Sequence, residues 1–276
     1  MTDSPTSGSA RPREPIFFVP FVVLAIVAAL LAIHALVSQL GADSQDALMR
    51  DLAFVPGRLT LSIWPDRLIE LLSRVNADPL ALRQAQLLRY FELPVGGVWT
   101  LLTYALLHGS WAHVGVNSIW LVAFGPPVAR RFGAFRFLMF FAMTAIAGAL
   151  AHWAVNPMDA SPLIGASAAD SGLMAAAARF VFQPGAALSG RPDPSRLVID
   201  AGRQDSAPGL FELLRQRRAL VFIVIWMATN FVFGAGAQAL GASEAPVAWI
   251  AHVGGFVAGL VAFPLFDRPW RRVKSL

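Results

Sequence analysis

The chain has 276 residues, of which 56% are apolar and only 14% are charged. A water-soluble domain ordinarily carries about 25% charged residues, so the composition excludes such a domain. Its net charge of +5 comes from basic clusters between apolar stretches, which favours positive loops on the cytoplasmic side of a membrane over nucleic-acid binding. The sequence contains no cysteine, which excludes disulfides, thiolate nucleophiles and cysteine-ligated metals.

The N-terminal part of the sequence predicts a tail, a membrane span and a long loop. Residues 1–16 are polar and rich in Ser and Pro, which is typical of a disordered tail. Residues 17–40 contain no charged side chain and are long enough to cross a hydrocarbon core of roughly 30 Å as a helix. Residues 41–98 form a long outer loop, in which the apolar spacing of residues 59–75 predicts one helix lying at the membrane interface.

The rest of the chain predicts five more spans. Their apolar stretches cover residues 111–129, 135–155, 167–182, 220–240 and 247–266. Residues 183–218, rich in Pro, Gly and Arg, predict a flexible cytoplasmic loop, and residues 271–276 a basic tail. Six spans put both termini on one side of the membrane, and the basic clusters fall on that side too. Residues 17–270 are therefore predicted to be one all-α polytopic membrane domain.

Polar side chains inside predicted spans are costly to bury and are therefore functional candidates. Ser167 begins the fourth span, where free N–H groups at a helix N-terminus could stabilise an oxyanion. His252 lies in the sixth span on a stripe with Gly255 and Gly259, and small residues have the same spacing in the fourth span. If the two stripes face each other, Ser167 and His252 come within hydrogen-bond reach. The alternatives are a helix-capping serine and a histidine bonded to a backbone carbonyl.

The second span offers two hydrogen-bond donors. His113 and Asn117 project from one helix face, and both donate hydrogen bonds while neutral, as an oxyanion site requires. The carboxylates do not form a metal-ligand spacing with the histidines, so we expect no metal and no other cofactor. His34 and His152 have no motif partners and are interpreted as structural.

Asp170 follows Ser167 by one helical turn, where a charged carboxylate would be costly. We interpret it as a structural residue that is either neutral or bonded to a hydroxyl such as that of Thr229. The alternative is a role in a proton network near Ser167.

Three motifs resemble those of the rhomboid family of intramembrane serine proteases. Residues 108–117 (HGSWAHVGVN) are similar to the H-x-x-x-x-H-x-x-x-N signature of the family. Residues 165–168 (GASA) are similar to G-x-S-G, and residues 251–259 (AHVGGFVAG) to A-H-x-x-G-x-x-x-G. The motifs occur in the family's order on the second, fourth and sixth spans. The resemblance covers about residues 99–266.

The resemblance implies a six-transmembrane-helix rhomboid-like bundle with a long first loop and a cavity open to the outer face. It implies that Ser167 is the nucleophile and His252 the general base that accepts its proton. His113 and Asn117, with the backbone N–H of Ser167, would form the oxyanion site. The implied partners are transmembrane protein substrates and the lipid bilayer, and we expect a bacterial inner membrane as the location.

The sequence departs from the family pattern at four positions. Ala168 replaces the Gly after the serine, and Thr100 stands where many members have the Arg of Trp-Arg. Ala129 stands where a Glu often precedes the basic pair, and Ser171 where some members place a Tyr against the histidine. Two other functions are therefore weighed: a catalytically impaired relative that binds membrane proteins, and a transporter, although no inverted repeat is visible.

Overall fold

The computed structural model describes residues 19–73, 79–90, 94–182, 207–232 and 248–267. These residues form α-helices and two short 3₁₀ turns, with one isolated bridge between Phe54 and Leu163. The α-helices are α1 (Phe21–Ser38), α2 (Ala42–Leu52), α3 (Pro56–Ile63), α4 (Asp66–Ser73), α5 (Pro79–Tyr90), α6 (Thr100–Thr103), α7 (Trp111–Phe132), α8 (Ala134–Val155), α9 (Ser167–Val181), α10 (Leu210–Arg215), α11 (Arg217–Phe231) and α12 (Trp249–Phe266).

Three of these helices, α1, α8 and α12, are long and apolar enough to cross a membrane. The predicted all-α polytopic membrane fold is therefore confirmed. Helices α7, α9 and α11 lie at the predicted second, fourth and fifth spans and have 22, 15 and 15 residues. The count of six spans stays a prediction. The two predicted tails, residues 183–206 of the predicted loop and residues 233–240 of the predicted fifth span lie outside the described residues.

The first loop departs from its prediction of one helix over residues 59–75. The structure has two helices there, α3 and α4, separated at Trp64 and Pro65. Trp64 has φ −129° and ψ 77°, because a residue that precedes proline is disfavoured in the helical region. The prediction of a continuous helix is therefore wrong at this point.

The first loop is anchored by Arg58, which is 3% exposed. Its guanidinium donates hydrogen bonds to the carbonyl oxygens of Arg50 (2.8 Å) and Ala53 (2.6 Å) and to the hydroxyl of Thr100 (2.8 Å). Burial lowers the pKa of Arg58 to about 10, so it stays charged at neutral pH. Arg58 thus brings a guanidinium to Thr100, the position where many rhomboids carry an arginine.

Helices α9 and α12 pack so closely that only glycine fits between them. A Cβ atom on Gly255 would overlap the carbonyl oxygen of Ala168, and one on Gly259 would lie 2.5 Å from the carbonyl oxygen of Gly172. Such close approach is how helices associate in lipid, where apolar burial gives little preference for helix over lipid. The glycine stripe of α12 therefore faces α9, which meets it at Ala168 and Gly172, one position after the predicted Ser167 and Ser171.

The same region accommodates Ala168, the residue that replaces the family's glycine. Ala168 lies in the first turn of α9, in a helical conformation that any residue adopts, and is 1% exposed. The methyl group of Ala168 faces Gly148 of α8. A Cβ atom added to Gly148 would lie only 2.5 Å from that methyl group. The missing side chain at Gly148 leaves room for the extra methyl group at Ala168.

Gly255→Ala is expected to destabilise the protein, because overpacking a close contact typically costs about 1–3 kcal/mol. Gly115→Ala is the matched control: a Cβ atom there meets nothing within 4 Å, and Ala favours a helix over Gly by about 0.5–1 kcal/mol. Thermal unfolding in detergent should therefore show a lower midpoint for Gly255→Ala and an unchanged or higher one for Gly115→Ala. Equal midpoints would contradict the packing argument.

Candidate active site

Ser167 and His252 are in contact. The Ser167 Oγ atom lies 2.7 Å from the His252 Nε2 atom, which is the distance of a hydrogen bond. Ser167 is the first residue of α9 and His252 lies in the first turn of α12. Gly255, one turn after His252, rests on the carbonyl of Ala168, the residue after Ser167. The close packing of the two helices therefore also sets the distance between the two side chains.

The other nitrogen of His252 contacts a residue that sequence reasoning missed. The His252 Nδ1 atom lies 2.7 Å from the Oδ1 atom of Asn230 on α11. The Asn230 Nδ2 atom donates a hydrogen bond to the carbonyl oxygen of Trp226 at 3.0 Å. One signal could have found Asn230: it is an amide inside a predicted span, where a polar side chain marks a functional candidate.

His113 and Asn117 of α7 lie beside the segment that leads into Ser167. A Cβ atom on Gly165 would lie 2.6 Å from the His113 Nε2 atom and 3.4 Å from the Asn117 Nδ2 atom. Gly165 also has φ +110°, so both the backbone conformation and the space require glycine. The His113 Nδ1 atom accepts a hydrogen bond from the N–H of Gly109 at 3.4 Å. The ring proton therefore belongs on Nε2, the nitrogen next to Gly165.

His108 links Asn117 to the same segment. Its Nε2 atom lies 2.8 Å from the Asn117 Nδ2 atom and 3.4 Å from the backbone nitrogen of Ala166, which donates to it. His108 is 7% exposed. Because an amide nitrogen only donates, one Asn117 proton goes to His108 and the other stays available. Sequence reasoning gave His108 no role, and the structure shows that it holds the Asn117 amide.

These side chains line one cavity of about 920 Å³. Ser167, His252, His113, Asn117 and Asn230 all belong to its lining. Much of the rest is apolar or aromatic, from Trp120 and Phe124 of α7, Met174 of α9, and Phe222 and Trp226 of α11. A binding site that combines an apolar wall with a few convergent polar groups is typical of ligand pockets, and its size is within their range.

The two remaining histidines, His34 and His152, each contact a neighbouring side chain. His34 lies edge-on to the ring of Trp111, with 4.7 Å between the centroids. The His152 Nε2 atom lies 3.4 Å from a carboxylate oxygen of Asp159, and both residues belong to the lining of the cavity. The interpretation of both histidines as structural stays a prediction.

Asp170 also lines the cavity and is 2% exposed. Neither of its carboxylate oxygens has a hydrogen-bond partner among the described residues. The predicted hydrogen bond to Thr229 is therefore wrong, although Thr229 belongs to the same cavity lining. A neutral carboxyl group stays the prediction, since an unpaired charge in this position would be costly.

The fold and this cavity define a polytopic helical membrane protein with a buried polar site that contains a serine and a histidine in contact. A family model that describes the rhomboid domain matches residues 95–268, more than half of the chain. The chain belongs to the rhomboid family, whose members are intramembrane serine proteases that act on transmembrane substrates.

Comparison with curated proteins gives bacterial relatives. The chain is 36% identical over 78 residues to the putative rhomboid protease YdcA of Bacillus subtilis, covering 28% of this chain and 39% of that protein. It is 36% identical over 81 residues to the rhomboid protease GluP of B. subtilis, covering 29% of this chain and 15% of GluP. It is 26% identical over 216 residues to the uncharacterized protein Rv1337 of Mycobacterium tuberculosis, covering 76% of this chain and 74% of that protein. The matches to the two named proteases thus span well under half of their lengths.

Asp170→Asn and Asp170→Val are expected to leave the thermal unfolding midpoint in detergent unchanged or to raise it. The reason is that an unpartnered buried carboxyl group contributes no hydrogen bond that the substitution could remove, while its burial is costly. As a comparison, Asn117→Val removes the buried 2.8 Å hydrogen bond between the amide and His108 and should lower the midpoint for that reason. A fall in the midpoint of both Asp170 variants would show that the carboxyl group has a stabilising partner.

Proposed function

We propose that this chain is an intramembrane serine endopeptidase in which Ser167 is the nucleophile and His252 the general base. The observation that carries the proposal is the 2.7 Å contact between Ser167 Oγ and His252 Nε2, both of which line the cavity. A serine hydroxyl is a weak nucleophile until an adjacent base accepts its proton. Membership of the rhomboid family supports the same assignment.

The reaction begins when the Ser167 Oγ atom attacks the carbonyl carbon of the scissile peptide bond and its proton moves to the His252 Nε2 atom. The carbonyl oxygen becomes an oxyanion, which accepts hydrogen bonds from His113 Nε2–H, Asn117 Nδ2–H and the backbone N–H of Ser167. The carbon–nitrogen bond then breaks as His252 gives the proton to the leaving nitrogen. A water molecule then attacks the acyl carbon and gives a proton to His252; the bond from that carbon to Oγ breaks, His252 returns the proton to Ser167 Oγ, and the new carboxyl terminus leaves.

The proposed substrates are membrane proteins cleaved in or near a transmembrane segment. The apolar walls of the cavity, built from Trp120, Phe124 and Met174, suit the side chains that such segments carry. The proposed location is the bacterial inner membrane, and the bacterial origin of the relatives supports it. The proposed layout places residues 17–270 in one membrane domain, with residues 41–98 on the outer side and residues 183–218 in the cytoplasm.

A catalytically impaired relative would be favoured by a broken contact between the serine and the histidine. The distance of 2.7 Å argues against it, and the space beside Gly148 removes the objection raised by Ala168. The contact also favours a hydrolase over a transporter, which would not need a serine bonded to a histidine.

Ser167→Ala and His252→Ala are each expected to abolish cleavage of a model transmembrane substrate while the protein still inserts and folds, because attack needs nucleophile and base together. A fluorophosphonate should label the wild-type protein at Ser167 and leave Ser167→Ala unlabelled. Ser118→Ala is the control, since the Ser118 hydroxyl only donates to the carbonyl oxygen of Val114 on its own helix. Substantial cleavage by Ser167→Ala, or a label at another serine, would disprove the assignment.

Asn117→Ala is expected to lower kcat by about 10- to 1000-fold, the scale of losing one oxyanion donor. The change in KM should be small, because the hydrogen bond forms with the oxyanion rather than with the bound substrate. Ser118→Ala, at the next position of α7, is again the matched control. An Asn117→Ala variant that folds and keeps the wild-type kcat would place the oxyanion site elsewhere.

A further inference from the structure

Asn230 joins α11 to the histidine of the site. Its side chain lies between the carbonyl oxygen of Trp226, one turn earlier on the same helix, and the Nδ1 atom of His252 on α12. Aromatic contacts also hold α11 against the bundle: Trp226 stacks on Phe256 with 4.1 Å between the centroids, and Phe222 contacts Phe124 at 5.9 Å. The contact between Asn230 Oδ1 and His252 Nδ1 is therefore a polar link between α11 and the site.

The contact with Trp226 fixes which end of the amide faces His252. A backbone carbonyl oxygen can only accept a hydrogen bond, so the group at 3.0 Å from it must be the NH₂ end of Asn230. The carbonyl end of the amide, Oδ1, then faces His252 at 2.7 Å. A flipped amide would set two oxygens against each other at Trp226 and is excluded on that ground.

The orientation of the amide fixes the tautomer of the imidazole. Because Oδ1 of Asn230 only accepts, the Nδ1 atom of His252 must carry the ring proton in the neutral form. Its Nε2 atom then has a free lone pair, and the Ser167 hydroxyl at 2.7 Å must donate to it. This is the direction of proton transfer that nucleophilic attack requires.

We propose that Asn230 is a positioning residue for His252, so that the site works as a Ser167–His252–Asn230 triad. The proposal rests on the proposed function of Ser167 and His252. Asn230 Oδ1 holds the imidazole in the tautomer that leaves Nε2 basic, and it fixes the plane of the ring. It also keeps its hydrogen bond to Nδ1–H when His252 is protonated during attack, which stabilises the cation at the moment it forms.

The test compares two substitutions at Asn230. Asn230→Asp keeps an oxygen acceptor opposite Nδ1, whereas Asn230→Leu has a similar branched shape with no acceptor. Asn230→Leu is expected to lower kcat by about 10- to 100-fold, the scale on which misplacement of a catalytic group acts, with little change in KM. Asn230→Asp loses the hydrogen bond to the carbonyl oxygen of Trp226 but keeps the acceptor, so it should retain clearly more of the wild-type kcat than Asn230→Leu. The matched control is Met227→Leu on α11, an exposed position that should leave kcat unchanged.

Equal loss in Asn230→Asp and Asn230→Leu would overturn the proposal, because a purely structural role depends on the fit of the amide and not on its acceptor oxygen. Wild-type kcat in a folded Asn230→Leu variant would overturn it as well. Failure of the wild-type protein to cleave any transmembrane substrate or to react with a fluorophosphonate would instead refute the proposed function.

A second measurement does not depend on cleavage. In protein labelled with ¹⁵N-histidine, the nitrogen chemical shifts report the tautomer of each neutral ring, and the His252→Ala variant assigns the signals of His252. The wild-type protein is expected to show the Nδ1–H tautomer, and Asn230→Leu a mixture of the two tautomers. A wild-type His252 that carries its proton on Nε2 would overturn the proposal even if the protein is an active protease.

Discussion

The close approach of α9 and α12 is the constraint on which the site depends. Glycine at positions 255 and 259 lets the α12 backbone rest on the carbonyl oxygens of Ala168 and Gly172. In lipid the hydrophobic effect hardly favours association of helices, so close packing of the two backbones stabilises this pair. Ser167 is the residue before Ala168, and His252 lies one turn before Gly255. The interface that holds the helices together therefore also sets the 2.7 Å distance between hydroxyl and imidazole.

The polar groups of the site are held by three short groups of hydrogen bonds. The Ser110 hydroxyl accepts from the N–H of His113 and caps α7, and the His113 ring in turn accepts from Gly109. Asn117 is held by His108, and His252 by Asn230. Buried polar groups that lack partners are destabilising and also free to rotate. These hydrogen bonds therefore stabilise polar side chains in the interior of the helix bundle. They also orient the atoms that the proposed reaction uses. Asp170 stands apart from them, since its oxygens have no partner among the described residues.

The sequence allowed most of the helical architecture to be predicted, because apolar stretches of membrane length and glycine spacing are local signals. It also predicted that Ser167 and His252 come within hydrogen-bond reach if small residues of the two helices face each other. The contact of Asn230 with His252 could not be predicted in the same way. It depends on the rotation of α11 about its axis, and no spacing in the sequence reports that angle. The break between α3 and α4 could have been predicted from Pro65. The prediction of one helix followed the apolar periodicity on both sides of the proline instead.

Three of the four departures from the rhomboid pattern, at Ala168, Thr100 and Ser171, are met by residues elsewhere in the chain; nothing in the structure explains Ala129. Gly148 makes room for the methyl group of Ala168, and Arg58 brings a guanidinium to Thr100. At Ser171, where some members place a tyrosine against the histidine, the hydroxyl instead donates to the carbonyl oxygen of Ser167 at 2.7 Å. With no tyrosine at position 171 to pack against the imidazole, a hydrogen bond to Ser167 alone would leave the ring free to tilt. Asn230 restrains the imidazole from α11, and it adds control of the tautomer, which a packed ring cannot give.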